Sequence, residues 1–244
     1  LPDAKYINAS PCVDLVRMKK DLQEQVLMIE SSKINDAVME EIIPFIQEGV
    51  TEKQLAKKLD ELFFNHHSTC YGAIVAFGKN AADPHHENDD TLLRKGDCVL
   101  IDMGCVYKGY CSDMTRTFYF KEVSDEHRHI YETVRKANEA AIAKIKPGIP
   151  LCELDNTARQ LITDEGYGPQ FNHRLGHFIG LSEHEFGDVS SVNTDKAVPG
   201  MIFSIEPGIY LTDDTGVRVE DLVLVTEDGC EVLNHYPKEL QIIG

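Results

Sequence analysis

The chain has 244 residues, 42% of them hydrophobic and 27% charged, an ordinary globular balance with length for one large domain or two small ones. Its 41 acidic against 24 basic side chains give a formal charge of −17, which repels nucleic acid and anionic membrane surfaces and argues against both as main partners. No apolar run approaches the ~18–20 residues of a membrane span.

Residues 1–12 show no clear period and are expected to form a lead-in, with the folded domain over 13–244. From Val13 to Gln47 the pattern is helical: Leu15, Met18, Leu22, Val26 and Ile29, then Ile34, Val38, Ile42 and Phe45, at steps of three and four. Pro44 should end or kink the second stretch. Thr51 is placed to cap a further helix, with Gln54 in capping-box position and Leu55, Leu59, Leu62 and Phe63 on its apolar face. Ala73–Phe77 and Asp97–Met103 are short apolar runs that predict strands, and Tyr110–Phe120 alternates. After Ser124, helical spacing returns through Ile130, Val134, Ala137, Ala141 and Ile145, and stops at Pro147-Gly148. The segment Gly49-Val50-Thr51 leads into Leu55, Leu59 and Leu62. A similar one, Gly148-Ile149-Pro150, leads into Leu154, Ala158 and Leu161 at an offset of 99 positions throughout. Two similar α-plus-β halves are expected.

Seven cysteines, an odd count with no C-x-x-C pair, suit neither a disulfide framework nor a zinc knuckle; reduced thiols in the cytoplasm are expected. Signal and transit patterns are absent, and a start at Leu1 rather than Met is compatible with a piece of a longer chain.

Two acidic hairpins carry the chemistry. With Lys108-Gly109 as the turn, Asp102 faces Thr115, and Asp113 lies two positions along on the same face, within carboxylate reach of Asp102. Acids are poor strand residues and repel each other at this range, so a positive group should sit between them. Two solvent-facing acids on an edge hairpin would give the same pattern. In the second hairpin, Met201–Gly208 is an apolar strand containing Glu206, and Val217–Val225 alternates, placing Arg218 and Glu220 together. Glu206 and Glu220 are each seven residues from Asp213 in the turn and come abreast. An exposed cross-strand Arg218–Glu220 ion pair would give the same pattern. Between the hairpins, His173, His177 and His184 fall within twelve residues, where Gly176 and Gly180 oppose a helix. One of them is expected as a ligand and the others around a substrate. His85-His86, after Pro84, reads as a loop dipeptide. Four acids and one imidazole suit two divalent ions, manganese, cobalt or iron rather than a thiolate-bound zinc; such a pair can share a hydroxide and polarise a carbonyl.

The order Asp102, Asp113, His177, Glu206, Glu220, with Ser-Asp-Met-Thr-Arg-Thr, Ile-Glu-Pro-Gly and Val-Arg-Val-Glu-Asp around them, resembles the pita-bread metallopeptidases: aminopeptidase P, prolidase and methionine aminopeptidase. The resemblance runs from Val13 to Gly244. It implies the α+β pita-bread (creatinase/aminopeptidase) fold, two pseudo-symmetric α+β halves with a curved antiparallel sheet. It also implies that those five residues bind two divalent ions, Mn2+ foremost, with Co2+, Zn2+ or Fe2+ as alternatives. Arg218 and His184 resemble the proline-specific branch. By the same resemblance, His85 and His184 contact the scissile carbonyl and the substrate, and Glu206 shuttles a proton as well as ligating. His173 and Tyr71 line the substrate pocket, and Arg218 orients the substrate or the carboxylates. The implied activity is hydrolysis of the bond between an N-terminal residue and proline, in dipeptides or short peptides, through a hydroxide bridging the two ions. Relatives normally carry a further N-terminal domain that this sequence lacks, which leaves substrate length and quaternary structure open, a homodimer included. Two alternatives remain: a non-catalytic pita-bread protein that binds peptides or partners, which the complete ligand set disfavours, and a methionine-aminopeptidase-type enzyme, which Arg218-Val219-Glu220-Asp221 disfavours.

Overall fold

The computed structural model describes residues 6–244. Of the expected lead-in, residues 1–5 lie outside the described residues, and helix α1 (Ser10–Met18) begins within its last three positions. The long helical run is two helices rather than one. Asp21 interrupts it by capping α2 (Leu22–Ile42): its carboxylate accepts from the backbone of Gln23 and Glu24, and Glu24 reaches back to the Asp21 N–H. A 3-10 turn at Ile43–Phe45 ends the run at Pro44, and Thr51 and Gln54 form the expected capping box on α3 (Glu52–Asn65).

Six strands follow: β1 (Thr69–Cys70), β2 (Ile74–Phe77), β3 (Cys98–Met103), β4 (Cys105–Tyr107), β5 (Tyr110–Cys111) and β6 (Met114–Phe120). Then come α4 (Asp125–Ile142), capped by Ser124, and α5 (Leu151–Asp164). The second set of strands is β7 (Gly176–His177), β8 (Asp188–Val189), β9 (Ile202–Ile205), β10 (Gly208–Leu211), β11 (Thr215–Arg218), β12 (Asp221–Val225), β13 (Cys230–Val232) and β14 (Ile242–Ile243). The sheet orders are β14-β6-β3-β2, β1-β4-β5, β13-β12-β9, β10-β11 and β7-β8, all pairs antiparallel except β14 with β6.

The two halves repeat down to single hydrogen bonds. Gly49 N–H donates to Leu93 O at 3.0 Å and Gly148 N–H to Ala197 O at 2.8 Å; Gly96 and Gly200 N–H donate to Phe120 O and Val225 O, both at 2.9 Å. Gly49 and Gly148 take φ of 82° and 87°, which an L side chain adopts only with strain, so the offset seen in the sequence marks equivalent turns into α3 and α5. In the first half, α2 and α3 pack Val38, Ile42, Leu55, Leu59 and Phe63 against Val75, Val99 and Ile101. In the second, α4 and α5 pack Ile130, Val134, Leu154 and Ala158 against Phe203, Ile205, Val217 and Val219. Strand β6 lies between the halves and is buried on both faces, Phe118 and Phe120 in one core and Tyr119 in the other. The alternation read from Tyr110–Phe120 therefore marks two buried faces, not one dry and one wet. No helix among the described residues is long and apolar enough to cross a membrane.

Candidate metal centre

Both hairpins keep the expected register and lose their ladders at the acids. In the first, Lys108 and Gly109 take positive φ, 50° and 91°, as a tight primed turn requires, and Asp102 pairs with Thr115. Pairing of β3 with β6 ends at Met103 and Met114 and resumes in β4 and β5 with Val106 opposite Cys111. Gly104 and Ser112-Asp113 occupy the gap. A Cβ on Gly104 would collide with Tyr71 Oη and the Ser112 carbonyl, so glycine is what lets Tyr71 donate to that carbonyl at 2.5 Å. In the second hairpin, Ile205 pairs with Asp221 and Gly208 with Arg218, which sets Glu206-Pro207 against Val219-Glu220 in a second gap. The strands read as Met201–Gly208 and Val217–Val225 are each interrupted there.

A gap in a ladder leaves buried carbonyls that need donors. Each half supplies one asparagine from its first long helix, both fully buried. Asn35 Nδ2 donates to Met103 O at 3.1 Å, while Asn138 Nδ2 donates to Ile205 O at 2.8 Å and to Val219 O at 3.3 Å. Asn138 thus clips both strands beside Glu206 and Glu220. Asn138→Ala is expected to weaken divalent-metal binding about 10–100-fold, as loss of a group supporting ligands does. Titration calorimetry checks this, and unchanged affinity would make the asparagine purely structural.

The acids converge on His177. Its Nδ1–H donates to Phe178 O at 3.2 Å, which leaves the Nε2 lone pair 3.5 Å from Asp113 Oδ2 and 3.6 Å from Glu206 Oε1. Asp113, His177 and Glu220 offer donor atoms that all lie within 4.8 Å of one another. Glu220 accepts from Thr115 Oγ1 at 2.6 Å through one oxygen, and its other oxygen is buried without a partner. Asp102 lies to one side, held by Arg218 Nη2 at 2.7 Å. Burial, and then the neighbouring carboxylates, raise Asp113 and Glu220 well above the usual carboxylate range. An orphaned carboxylate oxygen, an aimed imidazole lone pair and crowded buried acids fit a divalent ion with oxygen and nitrogen ligands. Asp113, Arg218 and Glu220 are 5%, 2% and 1% exposed. That excludes the solvent-facing reading of Asp113 and the exposed Arg218–Glu220 pair; Arg218 bonds Asp102 instead.

A cavity of about 370 Å³ opens over these groups, and Ile74, Pro84, His85, His173, Arg174, Glu183 and His184 also line it. His184 packs its ring 4.1 Å from that of His177; burial, then the charges of His177 and Arg174, push it down to about 4, so it is neutral at pH 7. His173 receives the Tyr210 hydroxyl at 2.9 Å, and that hydroxyl accepts from Arg218 Nη1 at 2.9 Å. Arg218 also donates to Thr115 Oγ1 at 3.1 Å and Pro84 O at 3.4 Å. Tyr71 stands behind Asp113 rather than among the lining residues. Behind His85, Glu52 is fully buried and accepts from Phe77 N, Asn80 Nδ2, His86 Nε2 and Asp89 N at 2.6–3.0 Å. With both oxygens doubly engaged, Glu52 anchors the loop that carries Pro84 and His85, and His86 is part of that anchor rather than a plain surface residue. The sequence reading did not pick out Thr115, Asn138, Glu183 or Tyr210. Only Thr115 had a signal, its place opposite Asp102.

Residues 26–227 match the family described as metallopeptidase family M24. An uncharacterised peptidase of Staphylococcus aureus is 42% identical over 238 residues, which is 95% of this chain and 68% of the relative. A dipeptidase of Mycobacterium ulcerans superposes with a TM-score of 0.95 at 36% identity, over 97% of this chain and 64% of that one. An Xaa-Pro dipeptidase of Bacillus anthracis gives 0.97 at 38% identity, over 99% and 68%. The chain thus spans about two thirds of the length of these proteins.

Proposed function

The chain belongs to metallopeptidase family M24 and has its pita-bread fold, and from that premise we propose that it hydrolyses the bond between an N-terminal residue and proline in dipeptides or short peptides. The observation that carries this reading is the convergence of Asp102, Asp113, His177, Glu206 and Glu220 on one cavity that also holds Arg218 and three further histidines. The five residues would hold two divalent ions, manganese foremost given the oxygen-rich donors, with cobalt, zinc or iron as alternatives. When bound, such ions supply Lewis acidity and acidify water enough for attack at neutral pH.

The remaining work falls to the chain's own groups. An Xaa-Pro bond is a tertiary amide, so the departing nitrogen carries no hydrogen and needs one delivered. Glu206, with Ser204 Oγ donating to its Oε1 at 3.0 Å, is placed to take a proton from water and pass it to that nitrogen as the C–N bond breaks. Neutral His184, together with His85 on the cavity wall, can donate to the carbonyl oxygen as negative charge grows on it. Four of the five Arg218 donors are engaged within the chain, which holds Asp102 and Tyr210 in place and leaves one N–H for substrate. His173, fixed by Tyr210, completes the wall, and Tyr71, bonded to the Ser112 carbonyl, backs Asp113 from behind. All seven cysteines are unpaired, which supports a reducing, cytoplasmic compartment, and the reading admits a homodimer.

Hydrolysis of Met-Pro by chelated protein, before and after Mn2+ is restored, tests the proposal. Manganese-dependent cleavage is expected. Metal bound without cleavage would overturn proline specificity, and neither binding nor cleavage would favour a peptide-binding protein without activity.

A further inference from the structure

Glu183 and Glu185 flank His184 on the loop between β7 and β8, and their environments differ. The Glu185 side chain is buried and accepts from Lys20 Nζ at 2.8 Å and Arg17 Nη2 at 2.7 Å, so it uses both cations that the end of α1 brings to this loop. Glu183 lines the cavity with half its side chain exposed. Among the described residues its nearest basic atom is His184 Nε2, at 3.9 Å, beyond hydrogen-bond range, and it forms no ion pair with Arg174, an exposed cation on the same wall. An acid on the wall of a reaction cavity with no cation from its own chain is complementary to one brought by the substrate.

The substrate's geometry says which cation. The amine of the residue before the scissile bond is two bonds from the reacting carbonyl carbon, so a carbonyl held at the acidic floor keeps that amine beside the floor as well. Only a long side chain on that residue reaches from there to a charge on the wall. We propose that Glu183 is a specificity residue that receives a cationic side chain, lysine or arginine, at the residue preceding the scissile bond. This rests on the Xaa-Pro peptidase reading above.

Arginyl-proline and citrullinyl-proline differ in charge at nearly constant shape, so the ratio of their kcat/KM values isolates the contact. The manganese-loaded wild type is expected to favour arginyl-proline about tenfold, the scale of one charge-assisted hydrogen bond in a half-exposed site, mainly through KM. Glu183→Gln is expected to bring the ratio close to one. A wild-type ratio near one with both dipeptides cleaved overturns the role of Glu183 alone. A ratio unmoved by Glu183→Gln, with both rates falling together, assigns Glu183 to the amine common to both and overturns the proposal too. No cleavage of either dipeptide or of Met-Pro overturns the peptidase reading, and this proposal with it.

Discussion

Asp113→Asn is expected to abolish metal-dependent hydrolysis while leaving the metal-free protein as stable as its parent or more so. On the proposed ligand set, losing Asp113 removes several kcal/mol of charge stabilisation from the reaction, and at 1.36 kcal/mol per decade kcat/KM falls by about 10³ or more. Stability moves the other way because Asp113 is buried against Asp102 and Glu206, and burial and their charges raise its pKa. A carboxyl whose folded pKa lies above its unfolded value makes the fold less stable at neutral pH, where the unfolded chain would be ionised. The isosteric amide removes that cost. Addition of Mn2+ reverses the order, since only the parent gains full binding energy. Melting curves with and without metal give the comparison; a metal-free variant that melts well below its parent would show that Asp113 is a structural acid.

The largest loss of stability is expected from Arg116. Its guanidinium is 1% exposed and bonds Asp221 Oδ1 at 2.8 Å, Glu220 O at 2.6 Å, Thr115 O at 2.9 Å and Tyr236 O at 2.8 Å. Burial alone would raise Asp221, but Arg116 and Lys238 hold it below the ordinary range. Arg116→Ala leaves Asp221 buried with Lys238 as its only cation and strips donors from four carbonyls, that of Pro237 included. Breaking a buried pair in this way costs about 3–5 kcal/mol, which for a domain of this size lowers Tm by about 10 °C. Because Glu220 O is one of the orphaned carbonyls, metal affinity should fall as well. A Tm drop below about 2 °C would show that Lys238 and water replace the arginine.

Much of this was legible in the chain because the turns fix the register. Lys108-Gly109 and the turn around Asp213 determine which residues face each other, and the structure keeps both registers through the gaps. The capping boxes and the offset between Gly49 and Gly148 are local or repeated signals of the same kind. The break between α1 and α2 was missed because apolar spacing continues across Asp21, and only its cap interrupts the helix. The ladder gaps were missed because Gly104 and Pro207 are single residues in otherwise regular strands. Asn35, Asn138 and Tyr210 have no signal in sequence: each matters for a partner far along the chain, and the helix or strand period treats it as an ordinary polar residue.

The two hairpins are equivalent, yet at one matching point they carry opposite charge. Asp113 sits two residues before Thr115, which faces Asp102; Arg218 sits two residues before Glu220, which comes opposite Glu206. A faithful duplicate would have placed a fifth acid there. The arginine instead pairs with Asp102, so one end of the floor carries a paired acid and the other the crowded, unpaired ones. A peptide also has two unlike ends, and a floor with polarity can tell them apart. For a peptidase of the kind proposed here, that inversion is one of the places where an internally duplicated scaffold stops being symmetric and can tell one direction of a chain from the other.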